Sequence, residues 1–181
     1  MHRSDGVTVR FGKAVMDVRR LLPRLGALLV CVTGLNALGA APALAAPGFD
    51  LDVTELPGRF RAGAGPERVS AVVSTTNDDG CRKVRWSLLL RVEGLSVNQV
   101  RVERIEQNRA FPVRVRVDGN RARITDNQLD PGTLCRGRTV TAQYRVAIAA
   151  NAADGRITFT HEAYDADRQL LAQARDRKSV V

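Results

Sequence analysis

Aromatic residues are scarce in this 181-residue chain, at 4% of the sequence. A carbohydrate platform made of stacked rings needs several of them on one surface, so the sequence disfavours that kind of site. We expect Trp86, Tyr144 and Phe159 to fill the core instead. No window carries a helical stripe of apolar residues, which disfavours a helical bundle.

The chain also lacks the short motifs of well-known catalytic sites. It has no G-x-S-x-G, no P-loop and no HExxH, and each of those motifs places specific groups around a reacting centre. Histidine is nearly absent as well, since His161 is the only one after residue 45. A metal site or an activated thiol would need more partners than that, so we expect His161 to lie on the surface.

Several carboxylates remain as weaker candidates for chemistry. Asp78 and Asp79, or Asp165 and Asp167, could surround Ca²⁺, although aspartate is an ordinary turn residue. A glycosidase pair could be drawn from four glutamates, Glu93, Glu103, Glu106 and Glu162. No pattern makes two of them converge, so we predict no catalytic, cofactor-binding or metal-binding residue.

The net charge of +9 is unevenly distributed. Residues 1–45 hold six Lys/Arg and two Asp/Glu, so residues 46–181 carry about +5. That value falls short of the dense basic patch of a nucleic-acid-binding protein, which excludes nucleic acid as the expected partner. It still favours weak attraction to an anionic polymer.

The N-terminus has the pattern of a helical signal peptide. A basic segment that ends at Arg24 precedes an uncharged apolar stretch, residues 25–41. Small residues follow, with Ala43 and Ala45 at positions −3 and −1 before Ala46. Charge, apolar run and small residues in this order are typical of export, so we predict a signal peptide at 1–45 and one domain at 46–181.

Two alternatives for the N-terminus stay open. The apolar stretch is close to the lower length limit of a membrane span, so an uncleaved leader would anchor the protein. Met16 is an alternative start, which would make residues 1–15 a mis-assigned extension. A lipoprotein is disfavoured, because Leu29-Val30 precedes Cys31 where a small residue is needed.

Cysteine usage predicts one disulfide. Cys31 lies in the leader, which leaves Cys81 and Cys135, and two cysteines in an exported domain usually pair. Such a bond stabilises by about 4 kcal/mol in the chain-entropy model. Four predicted strands separate the two cysteines, so the bond is expected to tie loops at one end of the fold rather than to cross the core.

The remaining sequence alternates apolar and polar residues in short runs separated by turn residues. This pattern is typical of β-strands. The predicted strands are Phe49–Leu56, Val69–Thr76, Val84–Val92, Val100–Ile105, Phe111–Val117, Arg121–Thr125, Thr139–Ile148, Ile157–Tyr164 and Leu170–Ala174. The last could instead be a helix, but a turn at Asp165–Arg168 favours a hairpin. Eight or nine such strands predict an all-β sandwich.

The inward positions of these strands define the expected core. Its residues are Trp86, Leu88, Leu90, Val100, Val102, Val113, Val115, Val117, Tyr144 and Phe159. If 107–110 is a hairpin loop, Val102 faces Val115 across the pair of strands. The arginines on the other side are then solvated, or they form a basic strip for an anionic polymer.

One segment resembles a known family. Leu129-Asp-Pro-Gly-Thr133 precedes Thr139-Val-Thr-Ala-Gln-Tyr-Arg-Val146 and Gly155-Arg-Ile-Thr158. This succession resembles bacterial immunoglobulin-like cell-surface domains, in which a Leu-x-Pro-Gly turn leads into such a strand. The resemblance covers residues 129–158 and implies an immunoglobulin-like sandwich in an envelope setting. It implies no catalytic residue.

Together these patterns predict an exported, non-enzymatic binding or structural module of the bacterial cell envelope, without a cofactor. The expected partner is a protein or an anionic polymer of the envelope, with membrane contact only through an uncleaved leader. Two other classes stay open: a small secreted enzyme with an unrecognised carboxylate site, and a secreted inhibitor or effector.

Overall fold

The computed structural model describes residues 45–181, and their regular structure is almost entirely β. One short 3-10 helix, Val97–Gln99, interrupts eleven strands. The strands are β1 Phe49–Glu55, β2 Arg59–Phe60, β3 Glu67–Thr75, β4 Arg85–Glu93, β5 Val100–Glu106, β6 Arg109–Ala110, β7 Val113–Asp118, β8 Arg121–Asp126, β9 Val140–Ile148, β10 Gly155–Tyr164 and β11 Leu170–Val180. The predicted all-β class is confirmed, and the two-residue strands β2 and β6 are additions to it.

The strands form two sheets that pack as a sandwich. The five-stranded sheet has the order β1-β3-β9-β5-β6, and the six-stranded sheet has the order β2-β11-β10-β4-β8-β7. Neighbouring strands are antiparallel except β11 and β2, which are parallel. Each sheet therefore buries one face and leaves the other in solvent.

The centre of the core is built by strands from both sheets. Trp86, Leu88 and Leu90 alternate along β4, Phe159 follows in β10, and Tyr144 comes from β9 of the opposite sheet. None of these five is more than 1% exposed. Their burial supplies the main stabilisation, at about 25 cal/mol per Å² of apolar surface.

The predicted hairpin between the strands at 100–105 and 111–117 is wrong. β5 pairs with β9 and with the short β6, whereas β7 pairs with β8 on the other sheet. Pro112 lies between β6 and β7. Because proline has no N–H for the ladder, pairing along β5 stops there and the chain crosses to the six-stranded sheet.

The change of partner also corrects the predicted core. Val115 and Val117 are 54% and 55% exposed, so their assignment to the core is wrong. They lie on β7, an edge strand that the five-stranded sheet does not cover. Val100, Val102 and Val113 are partly buried and pack against the margin of the core.

The disulfide joins Cys81 and Cys135, whose Cα atoms are 4.4 Å apart. Cys81 lies in the loop before β4, and Cys135 lies in the loop before β9. Beside the bond, Arg82 and Leu134 exchange two backbone hydrogen bonds of 2.8 and 2.9 Å. The predicted disulfide is therefore present and ties two loops, although β6 adds a fifth strand between the cysteines.

The C-terminal segment is a strand, as the turn at Asp165–Arg168 indicated. β11 pairs antiparallel with β10 over most of its length. At the other end, the predicted signal peptide with Ala43 lies outside the described residues, apart from the exposed Ala45. Ala46 donates its N–H to the Leu171 carbonyl at 2.8 Å. Among residues 45–181, no helix has the length and apolar character needed to cross a bilayer.

Candidate functional site

The outer face of the six-stranded sheet is rich in arginine. Because side chains alternate along a strand, every second residue of β4, β7, β8, β10 and β11 points away from the core. Nine of those outward positions are arginines: Arg85, Arg91, Arg114, Arg116, Arg121, Arg123, Arg156, Arg175 and Arg177. Only three are acidic: Glu93, Asp118 and Glu162. With Arg168 of the β10–β11 turn, we call this surface the arginine face.

A cleft of about 340 Å³ opens on the arginine face. Five arginines line it: Arg85, Arg114, Arg116, Arg123 and Arg168. Ser87, Thr125 and Tyr164 add hydroxyl groups to the same walls. Guanidinium and hydroxyl groups are hydrogen-bond donors, so this arginine cleft presents donors and positive charge to a ligand.

Arg123, one of the lining residues, is held in place by a network of side chains. Its Nη1 donates to Ser87 Oγ at 3.0 Å and to Glu162, and its Nη2 donates to the other Glu162 oxygen at 3.4 Å. The Tyr164 hydroxyl donates to Glu162 at 3.0 Å. The hydrogen bond to Glu162 raises the pKa of Arg123, and burial with that carboxylate raises the pKa of Tyr164.

Arg85 is oriented by the backbone at the end of β8. Its Nη1 donates to the carbonyl of Asp126 at 2.7 Å and to that of Asn127 at 2.9 Å. These contacts use neutral acceptors, so they fix the guanidinium without cancelling its charge. Arg85 therefore contributes a positioned cation to the wall of the cleft.

Four arginines of the cleft make no ion pair with any carboxylate of residues 45–181: Arg85, Arg114, Arg116 and Arg168. Arg168 also has a left-handed backbone, with φ of 66°. That conformation costs a non-glycine residue roughly 1–2 kcal/mol. Asp165 Oδ1 accepts the Asp167 N–H at 2.9 Å and supports the turn.

Like charges stand directly opposite each other on the arginine face. Arg116 on β7 faces Arg123 on β8, and Arg91 on β4 faces Arg121 on β8. Opposed like charges weaken a sheet. Opposed charges that destabilise the fold are expected where a surface is used for binding or catalysis.

A buried ionic network lies under this end of the sheet. Arg104 on β5 is 1% exposed, and its Nη2 donates to Asp130 Oδ2 at 2.8 Å. Its Nε lies 3.7 Å from Asp126 Oδ1, and its Nη1 lies 3.4 Å from Glu106 Oε2. Burial raises the pKa of Asp126 to about 7, against the opposing effect of Arg104, and burial also raises the pKa of Glu106.

Asp126 connects this network to the cleft. Its carboxyl group faces Arg104 in the interior, while its carbonyl accepts from Arg85 on the outer face. The network thus joins the two sheets and fixes a backbone position that orients a cleft arginine. We assign it a structural role, since its charged atoms are buried.

The predicted calcium candidates are engaged in other contacts. Asp78 forms an ion pair with Arg136 at 2.5 Å, and Asp79 forms one with Arg82. Asp165 accepts backbone N–H groups of its own turn. Within residues 45–181, no group of three or more His, Cys, Asp or Glu side chains is arranged to hold a metal ion.

The four glutamates considered for a carboxylate pair are separated. Glu93 and Glu162 share the arginine face, but Glu93 is level with Arg156, six residues from Glu162 along β10, or about 20 Å. Glu103 and Glu106 lie on the other sheet. The structure therefore does not bring two of these glutamates together.

His161 is fully buried, so the expectation of a surface histidine is wrong. It lies on the inward side of β10, and its ring centroid is 5.7 Å from that of Tyr144. Neither ring nitrogen has a hydrogen-bond partner among residues 45–181. Burial lowers the pKa of His161 to about 4. His161 lies two residues after Phe159 and therefore on the same face of the strand, which was the sequence signal that could have indicated its burial.

Sequence reasoning also missed Arg104 and the arginine face as a unit. Arg104 has the same parity as Val100 and Val102, which was a usable sign that it points inward. The arginine face, in contrast, needed the order of the strands, because its residues come from five separate segments.

Comparisons with known proteins identify no family. No protein-family model matches the sequence, and no curated protein is significantly similar to it. Among solved structures, the chain is similar to the macrocyclase AvmM of alchivemycin A biosynthesis, with 11% identity over 74% of this chain and 88% of that one, and a TM-score of 0.49.

Two other similar structures are domains of bacterial proteins. A cohesin module of a Clostridium perfringens family 33 glycoside hydrolase shows 9% identity over 74% of this chain and 96% of that one, with a TM-score of 0.41. A collagen-binding domain of a Staphylococcus aureus adhesin shows 10% identity over 75% and 98%, with a TM-score of 0.28. Similarity at this level concerns the β-sandwich and does not identify a ligand.

Proposed function

We propose that residues 46–181 form an exported, non-enzymatic binding module of the bacterial cell envelope, whose ligand is anionic and docks on the arginine face. The observation that carries this proposal is the arginine cleft. Five guanidinium groups surround one opening, and four of them form no ion pair with a carboxylate of residues 45–181.

The distribution of charge supports an anionic ligand. Nine of the 22 lysines and arginines of residues 46–181 point outward from the five strands of this face, against three acidic residues. The excess of six positive charges at these positions exceeds the excess of five over residues 46–181 as a whole. A concentrated field of one sign attracts oppositely charged partners more strongly than the net charge suggests.

Export is supported by two independent features. The disulfide between Cys81 and Cys135 suits an oxidising compartment, and the N-terminal sequence has the order of a signal peptide. Binding rather than catalysis is supported by the state of the two carboxyl groups at the cleft. That of Asp126 faces Arg104 in the interior, and that of Glu162 accepts hydrogen bonds from Arg123 and Tyr164.

The test is a calorimetric titration of the exported protein with tripolyphosphate at low salt. We expect Arg114→Glu/Arg116→Glu to lower the affinity at least about tenfold, because charge-assisted contacts to arginine are lost and replaced by repulsion. The matched control is Arg101→Glu/Arg109→Glu, which makes the same charge change at exposed positions on the five-stranded sheet. Equal losses in both variants would show that only net charge matters and would refute the site.

A further inference from the structure

A second cleft, of about 470 Å³, opens on the arginine face. Four arginines line it: Arg91, Arg121, Arg175 and Arg177. Thr158 and Thr160 contribute hydroxyl groups, and Arg175 Nε donates to Thr160 Oγ1 at 3.3 Å. This second cleft therefore repeats the donor chemistry of the arginine cleft.

Most of the positive charge of the second cleft is uncompensated. Three of its arginines make no ion pair with a carboxylate of the described part of the chain: Arg121, Arg175 and Arg177. Its one acidic lining residue, Asp176, pairs with Lys178 at 3.2 Å. The cleft thus keeps a local excess of positive charge.

The two clefts are adjacent along the same strands. On β4, Ser87 lines the arginine cleft and Leu89 lines the second cleft. From Arg85 at one end to Arg91 at the other, β4 spans about 20 Å. The cationic surface is therefore an elongated track with two places where side chains can surround an anionic group.

We propose that the two clefts together bind one linear phosphate polymer, which runs along the track and places phosphate groups in both. This inference rests on the proposed function and specifies its ligand. A single phosphate fills one cleft only, whereas a polymer with a charge at each repeat meets all the unpaired arginines at once.

The side chains of the track suit a linear phosphate polymer. Each internal unit of such a polymer carries a negative charge and a pair of non-bridging oxygens, which arginine can bind side by side. Threonine and serine hydroxyls supply further donors in both clefts. On the outward positions of β4, β7, β8, β10 and β11, Tyr164 is the only aromatic residue, so the stacking platforms that hold nucleic-acid bases are missing there.

The deciding experiment compares tripolyphosphate with a polyphosphate of about 45 units, each titrated at several salt concentrations. We expect the long polymer to bind at least about tenfold more tightly than tripolyphosphate, because the second contact is intramolecular. Arg121→Glu/Arg177→Glu, in the second cleft, should lower the affinity for the long polymer about tenfold while changing that for tripolyphosphate less than about threefold. Arg114→Glu/Arg116→Glu should weaken both.

Several outcomes would overturn the inference. If Arg121→Glu/Arg177→Glu affects the long polymer no more than Arg101→Glu/Arg109→Glu does, the second cleft takes no part. If tripolyphosphate binds in the arginine cleft but the long polymer binds no more tightly, the two clefts do not share one ligand, while the proposed function stands. If neither phosphate binds, the assignment to a phosphate polymer is wrong, and if no other polyanion binds either, the proposed function is wrong as well.

Two further probes test the chemical class of the ligand. Polygalacturonate carries carboxylates, and a single-stranded oligonucleotide carries phosphates with bases, so each is compared at matched charge with polyphosphate. Tighter binding of either one overturns the assignment to a phosphate polymer. Arg121→Gln/Arg177→Gln adds no negative charge, so it must also lower the affinity for the long polyphosphate, but by less than Arg121→Glu/Arg177→Glu does. Thermal melts verify that each variant is folded.

Discussion

Arg104 and Asp130 form a buried ion pair, 2.8 Å long, between β5 and the corner that leads into β9. Their side chains are 0% and 3% exposed. The other Asp130 oxygen accepts the N–H of Gly132 at 2.7 Å. Asp130 is the variable residue of the Leu-x-Pro-Gly turn, so this pair ties the turn to the interior of the sandwich.

Removal of one partner from this pair should destabilise the fold strongly. We expect Asp130→Asn to lower the free energy of unfolding by about 3 kcal/mol, because Arg104 then stays buried without its closest countercharge. Urea unfolding of the disulfide-intact protein measures the loss. Asp78→Asn, which breaks an exposed pair with Arg136, is the control and should cost less than about 1 kcal/mol.

Asp126 should make stability fall as the pH rises. Its ordinary pKa is 3.8 and its folded value is about 7, so between these values the folded protein holds a proton that the unfolded chain has released. Folding therefore becomes less favourable from pH 4 to pH 7. As the pH rises across that range, the free energy of unfolding of Asp126→Asn should increase by roughly 2–4 kcal/mol relative to wild type. A constant difference in urea unfolding at pH 4, 5.5 and 7 would contradict the assignment.

His161 should make stability fall as the pH decreases, which is the opposite of the effect of Asp126. Its pKa is 6.5 ordinarily and about 4 in the folded protein, so the unfolded chain takes up a proton first as the pH falls. Stability is lost from about pH 6.5 to pH 4. His161→Phe keeps an aromatic ring beside Tyr144 and cannot be protonated. As the pH falls through that window, the free energy of unfolding of this variant should rise by up to about 3 kcal/mol relative to wild type. A difference that does not change with pH would refute the prediction.

The opposed arginines predict a conflict between folding and binding. Arg116→Glu places a carboxylate opposite Arg123, so it should raise the free energy of unfolding by roughly 0.2–1 kcal/mol. The same change should weaken tripolyphosphate binding. Arg114 faces Thr125, and Arg114→Glu should therefore weaken binding without a gain in stability. If both variants melt like wild type, the repulsion across the strands is not significant.

Much of the fold could be predicted from local patterns. Alternation along β4 located Trp86, Leu88 and Leu90 inside, and turn residues located the ends of most strands. The same rule applied to β7 placed Val115 and Val117 in the core, where they are not. Alternation identifies the two faces of a strand, but it does not reveal whether the second sheet extends far enough to cover one of them.

The candidate site was harder to predict from the sequence, for a related reason. The sequence showed many arginines and a modest net charge, which suggested solvated side chains. Only the strand order brings β7, β8, β4, β10 and β11 side by side, and this order concentrates positive charge on one face. Arg104 was missed because a charged residue is seldom buried without partners, and its partners Asp126 and Asp130 are more than twenty residues away.

Local sequence patterns were enough to establish the β class, the disulfide partners and the turn positions, because these depend on side-chain periodicity, cysteine number and local backbone preference. The fold was needed to establish which strands are neighbours, which valines are covered and where the arginines meet. These depend on pairing between distant segments, and the free energy of that pairing is shared among many contacts that no local pattern records.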